Sequence, residues 1–450
     1  MEWTKNELLA LFPSHRGEVN SIRGIHEVFI DSRKKVKNGL FVPIVGERFD
    51  GHQFLHQAIE NGAVAALWQT DKEKPKDVPA DFPVFLVNDT VTGLQQVAKS
   101  YLRSVDPVVV AVTGSNGKTT TKDMIESVLR KKFRTHKTQG NLNNHIGLPL
   151  TILDMEADCE AAVLEMGMNH FGEISVLSKL AEPDFAVITN IGESHIEFLG
   201  SREGIATAKM EILDGLKPGG KVIYDGDEPL LDKLKKVASV ACGFDQGNDF
   251  VITDVQHLDT GVQFSLNEGD TQYKIPVLGE HNVKNATFAI AAASELGLST
   301  EEIREALMEL TLTKMRFEQV HGQNGAMLIN DAYNASPTSM KVSIQAVRAL
   351  NDYKRKVLVL ADMYELGENE KAYHESVAED IIPPITDVVT IGPRARWIAE
   401  KVEGSIEVTA FESKEEAIVK IKDLLAPDTV VLFKGSHAMA LETIVERLMK

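Results

Sequence analysis

Residues 113–120 read Thr-Gly-Ser-Asn-Gly-Lys-Thr-Thr, directly after the apolar run 108–112 and directly before a stretch with apolar residues at 125, 128, 129 and 133. A strand, a glycine turn and a helix in that order wrap backbone amides round an anion at the positive end of the helix. Within it Lys118 can reach terminal phosphates and the Thr119 hydroxyl can bind Mg2+, while Gly114, Ser115, Asn116, Gly117 and Thr120 complete the cradle. The common spacing places its first glycine where Val112 stands, so this loop is tighter, G-x-x-G-K-T. The chemistry expected is phosphoryl transfer from a nucleotide. The plain alternative is a glycine-rich turn.

Three further residues stand out. Glu165 ends the apolar run Ala-Ala-Val-Leu-Glu, where an acid at a strand's carboxyl end would face a metal; otherwise it is a solvated rim residue. His195 follows Asn-Ile-Gly-Glu-Ser in a loop at the same sheet edge, as a metal ligand or as surface decoration. Lys209 lies in the apolar helical stretch Ile-Ala-Thr-Ala-Lys-Met-Glu-Ile-Leu, where the ordinary role is snorkelling or pairing with Glu203 or Glu211.

The elements that must position these residues follow from the pattern. Apolar runs at 26–30, 40–45, 63–68 and 83–87 predict a small α/β unit, and a helix over 90–103 ends at Asp106-Pro107. From 108 strands alternate with helices, which predicts a mostly parallel sheet; residues 250–277 predict an attached antiparallel patch, and a helix from 281 closes that unit. After Met315-Arg316 the alternation restarts and runs to a last helix reaching Lys450, predicting a second doubly wound, Rossmann-like sheet. The fold class expected is α/β in three domains, 1–88, 89–314 and 315–450.

Composition agrees. With 450 residues the length prior is about three domains. The 48 Lys plus Arg against 66 Asp plus Glu give a net charge of −18, which argues against nucleic acid or an anionic membrane as partner. Cys159 and Cys242 are the chain's two cysteines and suggest neither a disulfide framework nor a zinc site, so a reducing cytoplasm is expected. The charged amino-terminal stretch does not read as a signal segment, and no run approaches the ~20 apolar residues of a membrane span. A monomer is expected.

Taken together, these residues resemble the Mur ligase family, the ATP-dependent amide-forming enzymes of peptidoglycan precursor synthesis. The resemblance rests on the loop at 114–120, Gly-Asn-Leu-Asn-Asn-His-Ile-Gly-Leu-Pro-Leu-Thr-Ile-Leu at 140–153, Glu165, Ser194-His195, the surroundings of Lys209, Gly279-Glu280-His281-Asn282 with Asn285-Ala286, and Arg316. It implies that the loop holds ATP and Mg2+, that Thr119, Glu165, His195 and Lys209 are metal ligands, and that Lys209 is carbamylated, which makes it an anion. It implies nucleotide contacts from Asn282, Asn285, Arg316, Asp331, Tyr333 and Asn334. The octet Asn330 to Pro337, Asp362 with Glu365-Leu366-Gly367 and His374, and Lys434-Gly435-Ser436 resemble the member that joins D-alanyl-D-alanine to UDP-N-acetylmuramoyl-tripeptide. Asp31-Ser32-Arg33, Phe41 and the stretch holding Gly46, Asp50 and His52 resemble the uridine-nucleotide unit, although each alone could be a turn. With Asn141, Asn144, Asp362 and Lys434 they make up the expected substrate contacts.

The implied reaction is activation of a carboxylate as an acyl phosphate, attack by the dipeptide amine, and loss of phosphate from a tetrahedral intermediate. No residue reads as the general base. Two rivals remain: another amino-acid-adding or folylpolyglutamate-type ligase, which an amine screen separates, and a P-loop switch, which would release phosphate without either substrate.

Overall fold

The computed structural model describes residues 3–258, 260–267 and 269–449. Among these the strands form three sheets. The first contains β1 (His15–Arg16), β2 (Glu27–Phe29), β3 (Gly39–Phe41), β4 (Ala63–Gln69) and β5 (Val84–Val87) in the order β1-β5-β4-β3-β2, parallel except for β1.

The second sheet holds β6 (Val108–Thr113), β7 (Thr135–Lys137), β8 (Ala161–Glu165), β9 (Phe185–Ile188), β10 (Lys221–Asp225), β11 (Ser239–Gly243), β12 (Phe250–Leu258), β13 (Gly261–Leu266) and β14 (Gln272–Ile275). Their order is β14-β13-β12-β11-β10-β9-β6-β8-β7, with parallel pairing from β7 to β12 and antiparallel pairing beyond, so the expected patch is present. After β6 the chain builds outward first on the β8 side and then on the β9 side. That reversal opens a crevice at the carboxyl end of β6, where ligands of such sheets bind.

The third sheet comprises β15 (Glu318–His321), β16 (Met327–Asn330), β17 (Arg355–Ala361), β18 (Asp387–Ile391), β19 (Glu407–Phe411) and β20 (Thr429–Lys434), ordered β15-β16-β20-β17-β18-β19. Only β15 runs antiparallel among these strands. Apolar clusters cover both its faces. The closing helix is Glu442–Leu448; Lys450 lies outside the described residues.

The helix Thr90–Val105 joins the first two sheets. Asp89 caps it by accepting the Thr92 amide, and Asp106 ends it in a left-handed turn at φ 53° before Pro107. Its buried Leu94, Val97, Ala98 and Tyr101 belong to one continuous apolar cluster with Leu67 and Phe85 of the first sheet and Leu164 of the second. The Tyr101 hydroxyl, carried into that core, donates to Met155 O at 2.6 Å. A shared core of this kind fixes the first unit to the second.

Candidate active site

The phosphate loop lies at the crevice. Gly114 has φ 153°, and a Cβ there would sit 1.8 Å from Thr189 Oγ1; Gly117 has φ 80°, and its Cβ would meet Asn285 Oδ1 at 2.6 Å. Both positions therefore require glycine. The loop's outer amides are already paired, Ser115 N with Asn190 O and Asn116 N with Asn190 Oδ1. Helix Lys118–Leu129 starts at Gly117, so the amides of Lys118, Thr119 and Thr120 have no acceptor one turn back and face the crevice. Lys118 Nζ folds over the loop and donates to Gly114 O at 2.8 Å. Burial lowers its ammonium pKa, and Glu165 works in the opposite direction.

Glu165 ends β8 opposite Val112 and is 2% exposed. Its Oε1 accepts Asn143 Nδ2 at 2.8 Å, whereas buried Oε2 accepts no hydrogen bond from the described residues. Lys122 Nζ stands 3.8 Å from that oxygen and donates to Thr138 O at 2.8 Å. A buried carboxylate oxygen without a donor is the kind of atom a hard cation takes. Thr119, which lines the same cleft, accepts Arg316 Nη2 on its Oγ1 at 3.0 Å. Among the described residues no group of three His, Cys, Asp or Glu side chains converges on a metal position, so a cation here would lean on substrate oxygens and water.

Lys209, in helix Arg202–Met210, is 2% exposed, with its pKa pushed well down by burial first and by Lys118 second. Neither acidic neighbour pairs with it. Glu211 receives the Gly172 amide at 2.8 Å, and the Glu203 carboxylate is held by Ser201 and by backbone. Among the described residues no hydrogen bond or ion pair reaches the Lys209 ammonium, so the ordinary readings of this lysine do not hold. His195 takes φ 66°, and its Nδ1 lies 2.7 Å from Glu365 Oε2 in the third unit.

The opposite wall comes from beyond residue 315. The Arg316 guanidinium stacks 3.9 Å over the Tyr333 ring. Asp331 Oδ2 accepts Ser343 Oγ and Lys434 Nζ, each at 2.6 Å, and Asn334 O lies 3.3 Å from the same lysine. Asn285 Nδ2 donates to Asn282 Oδ1, and Asn285 Oδ1 accepts Thr121 Oγ1, which ties the helix Glu280–Glu295 to the loop helix. A cleft of about 410 Å³ lies between the two walls, and Asn141 and Asn144 also line it.

Several expected substrate contacts are placed otherwise. Phe41 is 1% exposed and packs on Phe29 with ring centroids 5.4 Å apart; it is core, because β3 is buried at all three positions. His52 is 4% exposed, set edge-on to Trp68, and its Nδ1 lies 2.6 Å from Asp50 Oδ1. Asp50 also accepts the His52 amide and Lys72 Nζ, so the pair caps a turn and holds the first unit together, and Gly46 shapes the hairpin by donating to Phe49 O. Asp362 is 1% exposed and accepts the amides of Arg394 and Ala395, a helix-start role. Ser32 Oγ donates to Gln57 Oε1, while Asp31 and Arg33 form an exposed ion pair that lowers the Asp31 pKa to about 2. Asp31 borders a separate cavity of about 580 Å³ with Lys34, His136 and Leu142. Asn144 keeps its place in the cleft lining, where its Oδ1 also accepts the Gly147 amide and so starts a helix.

Sequence reasoning missed Asn143 and Lys122 beside Glu165 and the pairing of Glu365 with His195. The first lies inside the asparagine-rich stretch at 140–147, and Lys122 faces inward from the loop helix, a signal the apolar periodicity contained.

Three family models match: "Mur ligase family, catalytic domain" over residues 24–102, "Mur ligase middle domain" over 112–293, and "Mur ligase, glutamate ligase domain" over 315–437. The UDP-N-acetylmuramoyl-tripeptide--D-alanyl-D-alanine ligase of Bacillus subtilis is 47% identical over 430 residues, 95% of this chain and 93% of the relative. A crystal structure of MurF from Acinetobacter baumannii superposes with a TM-score of 0.89 at 32% identity, covering 100% of this chain and 99% of that one. MurF from Thermotoga maritima, solved in complex with ADP, gives 0.83 at 31% identity over 94% and 96% of the two chains. With these matches following one another along the chain, and with a relative 47% identical over 95% of it, the chain belongs to the Mur ligase family.

Proposed function

We propose that this enzyme joins D-alanyl-D-alanine to the carboxylate of UDP-N-acetylmuramoyl-tripeptide, with ATP converted to ADP and phosphate. The observation that carries the reading is the single cleft in which the loop lysine and donor-free Glu165 oxygen of the second unit face Arg316, Tyr333, Asp331 and Lys434 of the third. Hydroxide is a poor leaving group, so amide formation from a carboxylate needs activation. The tripeptide carboxylate attacks the γ-phosphorus and ADP leaves; the dipeptide amine then attacks the acyl phosphate and phosphate leaves. Lys118, the free helix amides and Arg316 neutralise charge during the transfer, and the stacked Arg316–Tyr333 pair forms a wall for the nucleotide. Glu165 with Thr119, and His195 with Lys209 as a carbamate, would hold Mg2+, which would supply further positive charge to the phosphoryl oxygens. Carbamate formation requires a neutral amine, and the burial that lowers the Lys209 pKa favours it.

Residues 1–88, 89–314 and 315–450 are the proposed divisions for the uridine nucleotide, ATP and the dipeptide. Among the described residues no helix is long and apolar enough to cross a membrane, and a reaction that consumes ATP and a UDP-linked precursor belongs in the cytoplasm. The test is a screen of amines with UDP-tripeptides carrying lysine or diaminopimelate, read by product mass and ADP release. D-alanyl-D-alanine should give the pentapeptide product. ADP release that ignores both amine and UDP-tripeptide would replace this reading with a nucleotide switch.

A further inference from the structure

Residues 189–193 brace the phosphate loop. Thr189 Oγ1 donates to Asn116 O at 2.5 Å, Asn190 accepts from the amides of Ser115 and Asn116, and the Gly192 amide donates to Ser115 Oγ at 2.8 Å. The fit is close, since a Cβ on Gly192 would lie 3.2 Å from Asn116 Nδ2. The side chain of the next residue reaches across to the third unit. Glu193 Oε2 accepts Thr338 Oγ1 at 2.7 Å and the Thr338 amide at 3.2 Å, and its Oε1 accepts the same hydroxyl at 2.9 Å. Thr338 lies in the first turn of helix Pro337–Arg348, whose cap Ser336 has its Oγ 3.4 Å from both amide atoms of Asn116 in the loop itself.

We propose that Glu193 is a positioning residue that latches the third unit onto the phosphate loop, so that closing the cleft and setting the loop's geometry are one event. The carboxylate meets a helix start, where amides and dipole favour an anion, and both of its oxygens are engaged. Residues before it hold the loop, so a displacement of the third unit is passed directly to Ser115 and Asn116. The contact is polar and half-buried, unlike the apolar core that joins the first two units, so it can be broken for product release and remade. Arg316, also of the third unit, donates to Thr119 Oγ1 in the first turn of the loop helix. Glu193 touches no reacting atom.

The inference rests on the ligase reading for its rate measurement and not for its second readout. The experiment compares parent, Glu193→Ala, Glu193→Gln, Thr338→Val and the Glu193→Ala/Thr338→Val double variant by kcat and KM, by thermal melting, and by small-angle scattering with and without ADP. Glu193→Ala should lose about 10- to 100-fold in kcat, since misplacement of a reacting group by about 1 Å has that scale of effect, with melting little changed. Its scattering radius with ADP should stay larger than the parent's. Glu193→Gln, which keeps an acceptor for the Thr338 hydroxyl, should recover most of the rate, and adding Thr338→Val to Glu193→Ala should cost less than about twofold more. A Glu193→Ala enzyme with half the parent kcat, multiplying effects in the double variant, or a rate loss that tracks lost thermal stability and is not rescued by Glu193→Gln would each overturn the latch. If the parent forms no amide, the ligase reading fails, and the scattering comparison still decides whether Glu193 holds the cleft closed.

Discussion

Replacing Glu165 by glutamine should separate activity from stability. Lys122 Nζ lies 3.8 Å from Glu165 Oε2, and two unit charges at that distance attract by roughly 4 kcal/mol at an effective dielectric of about 20. Against that stands the cost of burying a carboxylate with one oxygen lacking a donor, several kcal/mol on the order of the attraction itself. In Glu165→Gln the side-chain oxygen still accepts Asn143 Nδ2, and Lys122 keeps Thr138 O and Asp123 at 3.7 Å. The two effects nearly cancel, so stability should move by no more than about 2 kcal/mol. Activity should not survive, because the carboxylate oxygen proposed to face the cation is gone; a loss of about 10² to 10³ in kcat is expected. Steady-state ADP release across a Mg2+ titration, beside a thermal melt, measures both. A variant with half the parent rate would take Glu165 out of the mechanism. One that melts far below the parent would make it a structural ion-pair residue.

Lys118→Ala should keep the fold and lose about 10² to 10³ in rate, which ligation kinetics and circular dichroism check together. Lys209→Ala should be nearly inactive and regain part of its activity with a short added carboxylic acid, whereas Lys209→Arg, a permanent cation, should not be rescued; a fully active Lys209→Arg enzyme would refute the carbamate. Burial holds the His281 pKa at about 4, against an ordinary value of 6.5. The unfolded chain therefore takes up its proton first, and the stability present above pH 6.5 is lost as pH falls from 6.5 towards 4, by up to about 3 kcal/mol. His281→Gln should show a smaller fall in melting temperature between pH 7 and 5 than the parent, and equal slopes would contradict this.

What can be read from the sequence is local. The loop at 114–117 announces itself because strand, glycines, lysine and helix are contiguous, and Glu165 because it ends an apolar run on the neighbouring strand. The strands β7 and β15 are not legible, because Thr-His-Lys and Glu-Gln-Val-His carry no apolar run at a sheet edge. Phe41, His52 and Asp362 look like substrate contacts by motif, because motif membership does not say which side chains point inward; burial of each answers that. The contacts between units are out of reach for a different reason. Asn116 and Ser336 lie 220 residues apart, and Glu193 and Thr338 lie 145 apart, so only the packing of whole sheets brings them together. Lys209 stands between these cases: its apolar setting is visible in the sequence, whereas the absence of a pairing acid among the described residues is visible only in the fold.

The most direct measurement follows oxygen. UDP-N-acetylmuramoyl-tripeptide labelled with 18O in its terminal carboxylate is incubated with ATP and D-alanyl-D-alanine, and the released phosphate is analysed by mass spectrometry. Activation of the carboxylate by phosphoryl transfer in this cleft requires one carboxylate oxygen to leave with phosphorus, so each amide formed should be matched by one labelled oxygen in phosphate. Unlabelled phosphate released alongside the amide would contradict an acyl phosphate, and with it the part of the phosphate loop in activating the carboxylate.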